Sequence, residues 1–139
     1  MAVARYLVDT SAVARLKADP VAGVIRPLVK KGLAAVCGVI ALETLYSSRD
    51  AQDHARIRAS IDAREWLHTE DEDFDRAIEV QAELMSSGRH RAVPWADLLI
   101  AAVAERHRVT VLHYDSDFDM VTEVTGQPTL WVVPQGSVA

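Results

Sequence analysis

Four acids stand where the surrounding residues give little reason for charge. Asp9 follows the apolar run Tyr6-Leu7-Val8, and Glu43 lies inside Val39-Ile40-Ala41-Leu42-Glu43-Thr44-Leu45-Tyr46. Asp97 precedes Leu98-Leu99-Ile100-Ala101-Ala102, and Asp115, with Asp117 two places on, follows Val109-Thr110-Val111-Leu112-His113-Tyr114. Gathered carboxylates suit hard divalent cations, which take oxygen ligands and keep several waters. Such ions serve phosphodiester hydrolysis by activating water and neutralising developing charge. Each acid alone also has an ordinary reading. Asp9, Thr10 and Ser11 are all N-cap types, as are Asp115 and Asp117. Asp97 in a first helical turn complements the helix dipole. Glu43, amid apolar neighbours, calls for either an ion pair with a distant Arg or a metal site.

The elements that position these acids alternate along the chain. β-prone apolar runs at 6–8, 34–37, 109–114 and 130–133 read as strands. Between them, Ala12, Val13 and Leu16 form one helical face, and residues 21–33 form a helix carrying Pro27 and closed by Gly32. Residues 39–46 and 50–63 read as two more helices, the second solvated with a narrow apolar side. Thr69 and Glu72 have capping-box spacing ahead of a helix with Phe74, Ala77, Ile78, Gln81 and Leu84. Pro94 opens a helix running to about His107, apolar over seven consecutive positions and therefore expected to be buried on most sides. A short helix after Asp117 ends before Gly126 and Pro128. Alternation of this kind predicts a parallel sheet covered by helices, whose ligands bind at the carboxyl ends of the strands. Asp9 and Asp115 then sit at two such ends, with Glu43 and Asp97 in helices starting from the same edge.

The totals bound the function. The 139 residues fit one domain. A formal charge of −5, from 15 Lys and Arg against 20 Asp and Glu, argues against an indiscriminate nucleic-acid binder. It leaves room for a nuclease whose bound ions meet the phosphate. The single Cys37, in an apolar run, excludes a disulfide framework and is expected to be buried. No signal-like or membrane-spanning segment is evident, so a cytoplasmic protein without membrane contact is expected. Trp66, Trp95 and Trp131 are expected in core or helix-packing roles. Arg89-His90-Arg91, a basic turn just before Pro94, offers cations for phosphate or simply a surface turn.

Asp9-Thr10-Ser11 after the first strand, Glu43 in an apolar helix, the Asp97-Leu-Leu-Ile-Ala-Ala block and Asp115-Ser-Asp117-Phe, in this order, resemble the PIN-domain ribonucleases, specifically VapC-type toxins of bacterial toxin-antitoxin systems. The resemblance covers nearly the whole chain and implies a single PIN domain over 1–139, a three-layer α/β/α sandwich with a mainly parallel sheet. It implies an endoribonuclease using Mg²⁺, with Mn²⁺ substituting, on structured RNA such as tRNA or rRNA. Asp9, Glu43, Asp97 and Asp115 would be the catalytic, metal-binding acids, with Asp117 supporting or alternating with Asp115. Thr10 and Ser11 would fix the Asp9 turn, and Arg15, Arg89 and Arg91 are candidates for phosphate contact. A homodimer and an inhibitory protein antitoxin are implied as partners. His113 departs from the pattern, which often has Thr two places before the acid matching Asp115, and leaves open what orients that acid. Two alternatives compete: a phosphoacceptor receiver domain, also a small α/β unit with Mg²⁺ and acids, and a non-catalytic binding module in which the acids are only caps.

Overall fold

A computed structural model describes residues 2–139. The strands are β1 (Tyr6–Val8), β2 (Ala34–Val36), β3 (Glu65–Trp66), β4 (Thr110–His113) and β5 (Thr129–Trp131). The helices are α1 (Thr10–Val13), α2 (Asp19–Lys30), α3 (Gly38–Tyr46), α4 (Ala51–Asp62), α5 (Asp71–Met85), α6 (Trp95–His107) and α7 (Asp117–Thr125). All strand pairs are parallel, in the order β3-β2-β1-β4-β5. A receiver domain has the order 2-1-3-4-5, with its third strand beside the first. Here β4 takes that place, which overturns the receiver reading.

Side chains alternate across the sheet, so each strand feeds two cores. Leu7, Ala35 and Val111 point into a core with α3, α4, α5, α6 and α7. Val8, Ala34 and Leu112 point into the other, with α1, α2, Val132 and Val133. This is the expected three-layer sandwich. Leu98 to Ala104 of α6 are all buried, as an apolar helix pressed between the sheet and its neighbours must be. Cys37 is buried at the end of β2, and that burial pushes its thiol pKa up to about 11. Arg108 ends α6 in the left-handed region at φ 58°, and Gly126 ends α7 at φ 73°.

Three local features differ from expectation. The first helix is a single turn, because after Val13 the chain bends toward the next helix at Asp19. The two-residue β3 carries too little pattern to be seen in the sequence. The helix start after Thr69 is displaced by one residue: the Asp73 carboxylate, not Glu72, accepts the N–H of Glu70 at 2.8 Å. Asp73 is chosen because it is buried and also accepts Arg106 Nε (2.8 Å) and Nη2 (3.0 Å), tying α5 to the end of α6.

That tie is expected to matter. Asp73→Ala removes both a helix cap and the partner of Arg106, and urea denaturation should show a loss of about 2–4 kcal/mol.

Candidate active site

Pairing of β1 with β4 brings the first and the fourth acid together. The ladder continues one residue past β1, where Asp9 N–H donates to Leu112 O at 2.9 Å. Asp9 caps the single-turn α1: its Oδ2 accepts Ser11 N–H (3.0 Å) and Ser11 Oγ–H (2.6 Å). Ser11 Oγ in turn accepts the N–H of Tyr114 at 2.9 Å, so one hydroxyl bridges the loops after β1 and β4. Thr10 Oγ–H donates to Glu43 Oε1 at 3.1 Å, linking α1 to α3. Ser11 thus braces the Asp9 turn, whereas the Thr10 hydroxyl, expected at the same turn, is spent on Glu43.

Asp97, in the first turn of α6, offers a carboxylate oxygen within 4.8 Å of one each from Asp115 and Asp117. Asp115 Oδ1 accepts the N–H of Asp117 at 2.9 Å, which starts α7. Asp9 and Glu43 lie outside this tight trio, yet their charges, with those of Asp115 and Asp117, act on Asp97. Burial and those four charges push the Asp97 pKa from 3.8 up to about 8. Burial raises Asp9 as well, against the Ser11 hydrogen bonds that lower it. Glu43 is raised by desolvation, opposed by its bond from Thr10. Asp117 is raised by desolvation and by Asp115, with a hydrogen bond from Asp97 acting the other way.

The second oxygen of Asp9, Oδ1, is buried without a hydrogen-bond partner. An oxygen so placed in a site crowded with carboxylates is what a cation would satisfy, and an all-oxygen donor set fits Mg²⁺ or Mn²⁺. Asp97, Asp115 and Asp117 each offer one oxygen to such an ion, while Asp9 and Glu43 act on that cluster through their charge. Glu43 differs from the expectation raised by its apolar neighbours. It is exposed, and makes no ion pair among the described residues, because Leu42 and Tyr46 beside it are themselves 73% and 92% exposed.

The three arginines separate. Arg15 lies beside the acids, its guanidinium 4.4 Å from the centre of the Tyr114 ring and its Nη1 donating to Ser11 O at 2.7 Å. Arg89 is engaged by Glu123 Oε2 (2.9 Å) and Ser87 Oγ (2.9 Å), and would have to leave them to meet a phosphate. Arg91 is exposed in the turn before α6. Trp95, expected in a packing role, is instead 69% exposed beside the site, while Trp66 and Trp131 are half-buried.

His113, which left the orientation of Asp115 open, is fully buried. Its ring packs against Phe118 and Trp131 at centroid distances of 5.0 and 5.1 Å. Its Nδ1 accepts the N–H of Asp115 at 3.1 Å. Burial pushes its pKa down, so the imidazole is neutral and Nδ1 can accept.

Sheet order and acids together define a class, an α/β/α domain with a carboxylate centre at the carboxyl ends of β1 and β4. The model of the PIN domain matches residues 6–124. Ribonuclease VapC21 of Mycobacterium tuberculosis is 42% identical over 134 residues, 96% of this chain and 97% of that protein. Ribonuclease VapC51 of the same organism is 38% identical over 135 residues, again 96% and 97%. The crystal structure of DNA-bound VapBC from Salmonella typhimurium contains a chain similar at TM-score 0.76 and 16% identity, covering 94% of this chain and all of that one. The chain belongs to the PIN domain family, among its VapC-like members.

The raised Asp97 pKa sets a pH dependence. In the unfolded chain Asp97 loses its proton near pH 3.8, whereas folded it holds it to about 8. Between these values the folded state binds more protons, so metal-free stability falls as pH rises. Thermal melting of metal-free protein should therefore weaken from pH 5 to pH 8, and Asp97→Asn should flatten that dependence and raise Tm at pH 8. Mn²⁺ should raise the Tm of the unaltered protein at pH 8 and leave that of Asp97→Asn unmoved.

Proposed function

We propose that residues 1–139 form one PIN domain acting as a divalent-metal-dependent endoribonuclease toxin on structured RNA, tRNA or rRNA, in the cytoplasm. The observation that carries this reading is the concentration of acids around Asp97: burial, with the repulsion of its neighbours, raises its pKa to about 8, and a divalent cation would relieve both. The names of the relatives, ribonucleases VapC21 and VapC51, supply the reaction and the substrate class.

Asp9, Asp97, Asp115 and Asp117 would hold Mg²⁺ or Mn²⁺, with Glu43 orienting water or sharing the ion. When bound, the ion supplies Lewis acidity toward phosphate and water. The chain's own parts do the positioning. Ser11 leaves only Asp9 Oδ1 free by occupying Oδ2, and Thr10, next in the chain to Asp9, holds Glu43. Arg15, which lines one open cleft with Asp115, Ser116 and Trp131, would meet an adjacent phosphate of the RNA.

Two partners belong to the same reading. A protein antitoxin inhibits the enzyme, supported by the VapBC complex among the structural neighbours. A second copy of the chain covers the apolar face beside the acids. Trp95 joins two shallow grooves there, one with Phe74, Ile78 and Leu98, the other with Leu42, Tyr46, Thr10 and Glu43. An exposed apolar surface of this extent marks an interaction site.

Purified protein incubated with total cellular RNA should cleave it with Mg²⁺ or Mn²⁺ and not in EDTA. Asp97→Asn should lower the rate by at least about a thousandfold while its circular dichroism is kept. Cleavage that persists in EDTA overturns the reading. In sedimentation velocity, Tyr46→Glu together with Trp95→Glu should convert a dimer to a monomer; unaltered protein that sediments as a monomer removes the dimer.

A further inference from the structure

The loop from β4 into α7 hangs on three successive links. Tyr114 N–H donates to Ser11 Oγ, Asp115 N–H to His113 Nδ1, and Asp117 N–H to Asp115 Oδ1. The middle link is unusual in its donor-acceptor balance. His113 is sealed between Phe118 and Trp131, and its Nε2 is buried with no hydrogen-bond partner. With Nδ1 accepting, the proton must sit on Nε2, where nothing receives it. Packing alone would favour an aliphatic side chain here, since a buried donor without a partner is destabilising. What an aliphatic side chain cannot supply is the acceptor facing the Asp115 backbone.

We propose that His113 is a positioning residue for the acid centre: its Nδ1 holds the Asp115 backbone, and so aims the Asp115 carboxylate at the Asp97 and Asp117 carboxylates. Trp131 and Phe118 fix the plane of the ring. Trp131 is itself anchored by its Nε1–H to the Asp119 carboxylate at 3.2 and 3.3 Å, so the ring is packed against anchored residues of β5 and α7. The inference rests on the divalent-metal reading above, because the property that His113 sets is the geometry of a cation site.

Asn and Leu are nearly the same shape, and Asn alone keeps an acceptor close to the position of Nδ1. Isothermal titration of Mn²⁺ into the metal-free proteins should show His113→Leu binding about tenfold more weakly than the unaltered protein, and His113→Asn within about twofold of it. Thermal melting should run in the opposite sense, His113→Leu melting at or above the unaltered protein and His113→Asn below it. A purely structural histidine would make affinity follow stability. Leucine that keeps Mn²⁺ affinity, or asparagine that loses as much as leucine, overturns the proposal. Nitrogen-15 NMR of the unaltered protein should find Nε2 protonated and Nδ1 bare, and the reverse tautomer also overturns it. If the unaltered protein binds no Mn²⁺, the metal reading fails and this proposal with it. Normal binding that His113→Leu leaves untouched removes only the role of His113.

Discussion

Burial of carboxylates that also repel one another is the constraint on which this structure turns. Asp97 sits in the first turn of a helix too apolar to offer it a counter-ion, facing Asp115 and Asp117 with Asp9 and Glu43 behind. A group like this is tolerated only if the rest of the fold is stable enough to carry it. The supporting parts are visible on either side. α6 is buried from Asp97 to Ala104 and clamped at its far end by Arg106 on Asp73 and by Arg76, whose Nε meets Glu105 at 2.7 Å. The ion pairs lie at the end of α6 away from Asp97, and among the described residues no Lys or Arg pairs with Asp97.

Small hydroxyl groups do the fine positioning. Ser11 uses a single oxygen to hold Asp9 and the loop after β4 together, and Thr10 does the same for α1 and α3 through Glu43. Each consumes one carboxylate oxygen and leaves another free, so the acids are immobilised without being neutralised. Lys or Arg in their place would hold the carboxylates equally well and cancel the charge that the site depends on.

The parts of the molecule with strong periodicity were legible from residues alone. α6, α3, the strands β1, β2 and β4, and the placement of Asp9 and Asp115 at strand ends follow from apolar runs bounded by caps and glycines. What escaped depends on contacts between distant segments. β3 exists because Val36 and Ala35 pair with it, not because Glu65 and Trp66 prefer a strand. The capping box moved to Asp73 because Arg106, thirty-three residues away, rewards that carboxylate. Glu43 and Trp95 were expected to be covered; they lie on a face that this chain does not cover by itself. The role of His113 was invisible since it lies in a backbone hydrogen bond whose geometry only the folded loop creates.

The central pairing joins Tyr6 to Thr110 and Val8 to Leu112, so the first strand waits for the fourth through most of the chain. Asp9 and Glu43 leave the ribosome long before Asp97, Asp115 and Asp117. A growing or stalled chain that stops before β4 therefore lacks both the strand that pairs with β1 and two of the five acids, Asp115 and Asp117, and the long-range closure that completes the sheet also completes the site. Order along the chain thus sets order of assembly: until β4 has been made, nothing can bring Asp115 and Asp117 to Asp97.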